Sequence, residues 1–167
     1  MRRIIIVISF FLVQSLFQSC CWTGDCNEIP EPISSFKPII MDRTAFESSV
    51  KLLPSQNLVK SGKIYIKDDL MLLNDVNKGF HVYNYSNPEN PVKIAFIEIP
   101  GATDVAIRNS TIYINQAVDL VTLNYNSNTN TLTVLSRNRN IFPQKRSPDG
   151  FVGNYAENQI IVNWILN

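Results

Sequence analysis

The sequence predicts an all-β fold: two β-propeller-blade-like antiparallel sheets, an incomplete propeller, with a short N-terminal helix or cap. Three observations carry this expectation. From Lys63 onward, short runs rich in β-branched and aromatic residues alternate with turn residues. The breaks between them, Asn87-Pro88-Glu89-Asn90-Pro91, Pro100-Gly101, Asn109-Ser110 and Asn126-Ser127-Asn128, are turn chemistry. The block from Ile64 to Ala95 can also be laid on the block from Val105 to Leu135 with a period of 40 to 41 residues, the spacing of a four-stranded propeller blade.

The chain opens with a leader. Arg2 and Arg3 precede an apolar run, Ile4 to Val13, broken only by Ser9; this is the outline of a secretory signal peptide, and the run is too short to span a bilayer, which takes roughly 20 residues. No small-x-small cleavage site follows, whereas Cys20 sits immediately after the small Ser19. That arrangement resembles a bacterial lipobox, in which a diacylglyceryl group is attached to the cysteine sulfur and cleavage leaves the acylated cysteine as the N-terminus. Residues 1–19 are therefore expected to be a lipoprotein signal peptide, and acylated Cys20 a membrane anchor of the palmitate type. A plainly secreted product or an uncleaved anchor are the alternatives. Residues 20–37, with Pro30, Pro32 and Gly24, read as a tether, and residues 38–167 as the folded domain. Cys21 and Cys26 are left over in an oxidising compartment, where a local disulfide between them is an option. Their spacing, with no histidine nearby, does not suggest a zinc or redox site.

Within the domain, Asp42 to Leu53 is expected to form one short helix. Asp42 or Thr44 is placed to cap it, Glu47 lies three residues after Thr44, and Phe46 and Val50 share a face. Strands are expected at Lys63–Lys67, Leu70–Asn74, Phe80–Tyr85 and Val92–Ile99 in a first unit spanning about 63–99. A second unit, about 104–136, holds Asp104–Arg108, Thr111–Asn115, Leu120–Tyr125 and Thr131–Ser136. In the overlay of the two units, Ile64-Tyr65-Ile66 falls on Val105-Ala106-Ile107, and Phe80 to Tyr85 on Leu120 to Tyr125. Two units cannot close a propeller, which needs about four blades. The expected result is two sheets packed on each other, capped by the N-terminal segment and by a final strand from Gln159 to Leu166.

The run Gly79-Phe80-His81-Val82-Tyr83-Asn84-Tyr85-Ser86-Asn87-Pro88-Glu89-Asn90-Pro91 resembles the LVIVD repeat, G-[LI]-x-[IV]-[IV]-D-x-S-[DN]-P-x-x-P, with Asn84 where the repeat has Asp. Asp104-Val105-Ala106-Ile107 is similar to the strand that opens the next unit. With the lipobox in front and Ile161-Val162-Asn163-Trp164 near the end, the chain resembles short LVIVD-repeat lipoproteins of Bacteroidota. The resemblance implies a β-propeller-type repeat protein on the cell envelope, anchored at the outer membrane on its periplasmic or surface side, in a family with no established enzymatic activity.

Composition names no ligand. With 15 Lys+Arg against 14 Asp+Glu and a formal charge of +1, the chain lacks the electrostatic footprint of a nucleic-acid binder. His81, the one histidine, is expected on the solvent face of its strand, opposite Phe80 and Val82. No G-x-S-x-G elbow, glycine-rich phosphate loop or dinucleotide fingerprint is present, so no catalytic residue and no cofactor are expected. Asp68, Asp69, Asn74 and Asp75 do not have the spacing of a calcium loop and read as solvated turn residues, so no metal is expected. Arg137, Arg139, Lys145 and Arg146 read as a solvated basic loop, with lipid phosphates as the alternative contact. Two functional expectations follow. The first is a non-enzymatic envelope lipoprotein presenting a surface or a sheet edge to an envelope protein partner. The second is a carbohydrate-binding envelope module that uses Tyr83, Tyr85 and Tyr125 as a ligand surface.

Overall fold

The computed structural model describes residues 34–167; the leader and Cys20, Cys21 and Cys26 lie outside the described residues. In chain order the elements are β1 (Phe36–Asp42), α1 (Arg43–Glu47), β2 (Lys51–Pro54), β3 (Ser61–Lys67), β4 (Leu70–Asp75), β5 (Gly79–Asn84) and β6 (Val92–Glu98). These are followed by β7 (Ala102–Arg108), β8 (Thr111–Gln116), β9 (Asp119–Asn126), β10 (Thr131–Asn138) and β11 (Gln159–Leu166). No helix among the described residues is long and apolar enough to cross a membrane.

The fold is all-β and blade-like, as the turn spacing predicts. Strands β3 to β6 form one antiparallel meander, extended at the β6 edge by β2, and β7 to β10 form a second, four-stranded meander. Local chemistry fixes the hairpins. Lys67 pairs with Leu70 and Arg108 with Thr111, so each connection is a two-residue turn, and Asp68 (φ 52°) and Asn109 (φ 54°) take the left-handed conformation that Asp and Asn tolerate best after glycine. Gly79 (φ 151°) is required on a second ground, since a Cβ there would lie 2.0 Å from the Ile97 carbonyl oxygen.

The two meanders pack face to face. Leu72, Phe80, Val82, Ala95 and Ile97 of the first sheet meet Val105, Ile112, Ile114, Val121 and Leu123 of the second in one buried core. On β8 and β9 burial alternates strictly, the period of a half-buried strand. The 40- to 41-residue overlay does not survive as an equivalence of faces. Val105 and Ile107 pack toward the core, but Ile64 and Ile66, which the overlay places on them, are 59% and 52% exposed, while Tyr65 packs against the core between them. Period-2 geometry explains the reversal, because a one-residue offset turns every side chain to the other face of its sheet.

β1 pairs antiparallel with β11 in a separate two-stranded ribbon. It starts at Phe36, ahead of the expected domain start at residue 38, because Phe36 and Lys37 pair with Leu166 and Ile165. The expected helix Asp42–Leu53 is shorter: α1 ends at Glu47, and Lys51–Pro54 is a strand paired with Glu98 to Ala95 of β6. Asp42 occupies the N-cap without making a side-chain cap bond. Glu47, expected to complete a capping box, instead faces the guanidinium groups of Arg43 and Arg139. Here sheet completion overrides local helix propensity.

Ribbon and helix bury Phe46, Ile160 and Val162 against Ala117 and Val118 in the β8–β9 turn, closing one end of the sandwich. Beside this small core lies Asp119, whose carboxylate is fully buried. It accepts bonds from Arg43 Nη1 (2.8 and 2.9 Å), Arg137 Nη1 (3.0 Å) and the Asn140 amide (3.0 Å). Both guanidinium groups also stand over the Phe46 ring, at 5.7 and 5.3 Å from its centroid.

Burial pushes the Asp119 carboxyl pKa up, but the bonds from Arg43, Asn140 and Arg137 outweigh it and hold the group below the ordinary carboxylate range. A depressed folded-state pKa stabilises the fold above the unfolded value, about pH 4, and that contribution is lost as pH falls through the folded value. Asp119→Ala removes the shared carboxylate from two part-buried guanidinium groups, which keep only Glu47 and Asn140 as polar neighbours, and is expected to cost about 3 kcal/mol. Urea unfolding at pH 7 and at stepwise lower pH measures both effects: the variant should be much less stable at pH 7 and should lose less stability below pH 4 than the wild type.

Candidate functional site

Between the two sheets, at the end away from the small cap core, the hairpin turns frame an open cleft of about 560 Å³. Its floor is the uncovered end of the inter-sheet core: Leu70, Ile94, Ile107, Ile112 and the ring of Tyr125. Its rim comes from four turns. Lys67, Asp68 and Asp69 belong to β3–β4, Asn84 and Ser86 to β5–β6, Asn109 and Ser110 to β7–β8, and Ser127 and Asn128 to β9–β10. Sequence reading marks most of these residues only as chain breaks; what it cannot give is that turns of different sheets converge on one space.

The turns are braced from within. Asn84 Oδ1 accepts the Ser86 amide at 2.9 Å, and Asn126 Oδ1 accepts the Asn128 amide at 2.9 Å and the Thr129 amide at 3.2 Å. Lys67 is committed to Asp68 at 2.7 Å, and Tyr125 Oη donates to Asn130 Oδ1 at 2.9 Å. By contrast, among the described residues the side chains of Asp69, Ser86, Asn109, Ser110, Ser127 and Asn128 make no hydrogen bond.

The tyrosines expected to form one surface are distributed. Tyr125 is 8% exposed and belongs to the inter-sheet core and the cleft floor. Tyr83 lies across from Met71 and Lys93, with Lys93 Nζ 5.7 Å from its ring centroid, on the face opposite Phe80 and Val82. Tyr85 follows the end of β5, its amide donating to the Asp69 carbonyl at 2.8 Å. Only Tyr125 reaches the cleft.

A second feature is the open edge of β10. The edge strands of the two large sheets are β2, β3, β7 and β10. β2 begins at Lys51 and ends at Pro54, β3 carries Lys63 and Lys67, and β7 carries Asp104 and Arg108, all devices that discourage strand addition. Lys63 Nζ and Tyr65 Oη also donate to the Asp104 carboxylate, joining β3 to β7. β10 differs in degree: Thr131 to Ser136 carries neither charge nor proline, its Arg137 is paired with Asp119, a bulge lies between Val134 and Ser136, and Val134 and Leu135 are 46% and 53% exposed.

His81 contradicts its expected solvent position and is fully buried. It sits in a cross-sheet row, Ile64–Leu73–His81–Phe96–Leu53, with its ring 4.8 Å from that of Phe96. Asp75 and Asn74, expected as solvated turn residues, are buried too. The Asp75 carboxylate accepts the amides of Val59 (2.9 Å) and Lys60 (3.0 Å) and faces His81 Nε2 at 3.4 Å. It thereby holds the segment 55–60 near this outer face, and Lys93 Nζ binds that segment at the Gln56 carbonyl. The expected solvated basic loop is also largely tied down. Arg137 goes to Asp119, Arg139 to Glu47 and Lys145 to Asn77, while burial pulls the Lys145 pKa down to about 8. Among the described residues no group of three or more His, Cys, Asp or Glu is placed to hold a metal ion.

Comparison of the chain with protein-family models, with curated proteins and with solved structures gave no match.

Burial is the main cause that lowers the His81 pKa below the ordinary imidazole value; Lys93 adds to the lowering, and the bond to Asp75 only partly opposes it. The unfolded chain therefore takes up a proton near pH 6.5 while the folded chain resists it, so stability should fall as pH drops from about 6.5 toward the folded value. With one histidine in the chain, the slope is assignable. Denaturant midpoints from pH 7.5 to 5 should decline in the wild type and stay flatter in His81→Gln; equal slopes would place the titration elsewhere.

Proposed function

We propose that this protein is a non-enzymatic interaction module of the bacterial cell envelope, held at the outer membrane through acylated Cys20, that receives a partner protein as an added strand on β10. The observation that carries the reading is the stretch Thr131 to Ser136, uncharged, free of proline and rich in β-forming residues, on a strand that among the described residues is bonded only to β9. A backbone edge of this kind offers its hydrogen-bonding groups to an incoming strand, and the half-exposed Val134 and Leu135 supply apolar contact. The other large-sheet edges bear lysine, arginine, aspartate or proline along their length, whereas on β10 the one charged side chain, Arg137, is turned to Asp119, which leaves Thr131 to Val134, ahead of the bulge between Val134 and Ser136, as the receiving stretch.

The non-enzymatic reading is supported by the commitments of the acids and bases. His81 is sealed from solvent against Asp75, and Asp119 is consumed by Arg43 and Arg137. The envelope location rests on the leader and Cys20, together with the likeness to LVIVD-repeat lipoproteins. If two or three acyl chains are attached, at roughly 0.8 kcal/mol per buried methylene, the tethered domain stays at the bilayer and meets envelope partners at high effective concentration.

Growth with labelled palmitate followed by membrane fractionation tests the anchor. Label and membrane association should both disappear in Cys20→Ala; a variant that fractionates like the wild type removes the anchor from the proposal. Site-specific photo-crosslinking in cells tests the edge. A crosslinker at Leu135 should give one discrete product that a crosslinker at Tyr113, on the outer face of the same sheet, does not give. The product should be lost in Thr133→Lys, which places a charge on the edge. Equal products at both positions, or a product insensitive to the lysine, would sink the strand-addition reading.

A further inference from the structure

We infer that the cleft between the two sheets is a binding site for a neutral saccharide. The inference rests on the cleft and not on β10, so the two readings fail separately. Six rim side chains, Asp69, Ser86, Asn109, Ser110, Ser127 and Asn128, have no hydrogen-bonding partner among the described residues, while the backbone turns that carry them are braced by Asn84 and Asn126. They supply one carboxylate, two amides and three hydroxyls around a single opening, a set that both donates and accepts. Beneath them the floor is apolar, made by Leu70, Ile94, Ile107, Ile112 and one ring, Tyr125.

A ligand matching this lining carries many hydroxyl groups and one face of C–H bonds, the amphipathic character of a pyranose. The volume, about 560 Å³, falls within the usual range for small-ligand sites, roughly 300–1,000 Å³. Charge argues for a neutral sugar. Lys67, the one cation in the lining among the described residues, is already paired with Asp68, which leaves Asp69 as the uncompensated charge and disfavours uronate and phosphate groups. The Asp69 carboxylate is suited to accept from two vicinal hydroxyls, the charge-assisted bonds that are worth most at a site open to water. Tyr125 takes a role different from the one its residue type suggests. Its hydroxyl is committed to Asn130, so the ring offers a wall rather than a polar hook.

The test uses the purified full-length chain on an array of immobilised neutral hexose and N-acetylhexosamine mono- and disaccharides, with uronic-acid and sugar-phosphate analogues alongside. Retention of at least one neutral sugar is expected, with the charged analogues at least tenfold weaker. Asp69→Asn combined with Asn128→Ala should weaken binding at least tenfold, and Ser127→Arg, which fills the mouth from an exposed position, should abolish it. Tyr83→Ala and Thr133→Lys, remote from the lining, should bind like the wild type, and unchanged melting temperatures show that the rim variants are folded. Silence across the array overturns the inference, as do stronger binding of the charged analogues, full binding by the rim variants, or loss in Tyr83→Ala.

Discussion

The buried carboxylate of Asp119 is the contact on which the closed end of this molecule depends. It sits where β9 begins and draws together two stretches remote from each other in sequence: α1 through Arg43, and the end of β10 with the residues just after it through Arg137 and the Asn140 amide. A two-sheet sandwich built from meanders has two open ends, and each end exposes the rim of its core. The cap solves one of them. Phe46 plugs the rim, and the two guanidinium groups that satisfy Asp119 also cover the Phe46 ring. A charge cluster of this kind adds little net stability over an apolar plug, but losing one member leaves the others buried and unmatched. It therefore fixes which segments meet more than how strongly they hold. At the opposite end no such plug is found among the described residues, and the cleft lies there.

The two sheets share a topology but not a surface. Outward from β7–β10 point Ala106, Tyr113, Thr122 and Ser136, paired in register across the sheet, an ordinary solvated row. Outward from the other sheet points the row that holds Ile64, Leu73, His81, Phe96 and Leu53. Part of it is shielded: His81 and Phe96 are buried, and the segment 55–60 is moored alongside by Asp75 and Lys93. The contrast accounts for a central strand buried on both faces, which is why β5 shows Phe80, His81 and Val82 buried in succession where a half-solvated strand alternates. One nitrogen of the buried histidine faces a carboxylate and its ring packs on Phe96, while Nδ1 is buried without a hydrogen-bond partner among the described residues.

Much of the fold was legible in the sequence. Strands β3 to β11 lie within about two residues of the runs marked by alternation and turn chemistry, since Asp68, Asn109 and the Asn-Pro and Pro-Gly breaks announce their turns locally. Three things were not legible, each for a physical reason. The facing of Ile64 and Ile66 depends on a one-residue register, to which a hydrophobic overlay is blind. The end of α1 depends on β6 offering an edge to Lys51–Pro54, a tertiary event that local propensity does not contain. The burial of His81 and Asp75 depends on a loop folding back beside the sheet. Of the site, Tyr125 was legible as an aromatic of interest, but Asp69, Ser110 and Asn128 carry the same signature whether their turns point apart or together.

The seams between the sheets differ as the ends do. Where β3 meets β7, Asp104 receives both Lys63 and Tyr65, and the Tyr65 hydroxyl relieves the cost of bringing its ring to the core margin. With two donors on one carboxylate, this seam is fastened by directional side-chain bonds. Where β10 approaches β2, the polar fastening lies at the cap, through Arg137 and Arg139 to Glu47, and β2 is only four residues long. A strand of eight residues thus runs beside a neighbour half its length. Since β2 ends in Pro54, which has no amide N–H to donate, that strand cannot readily lengthen at its end.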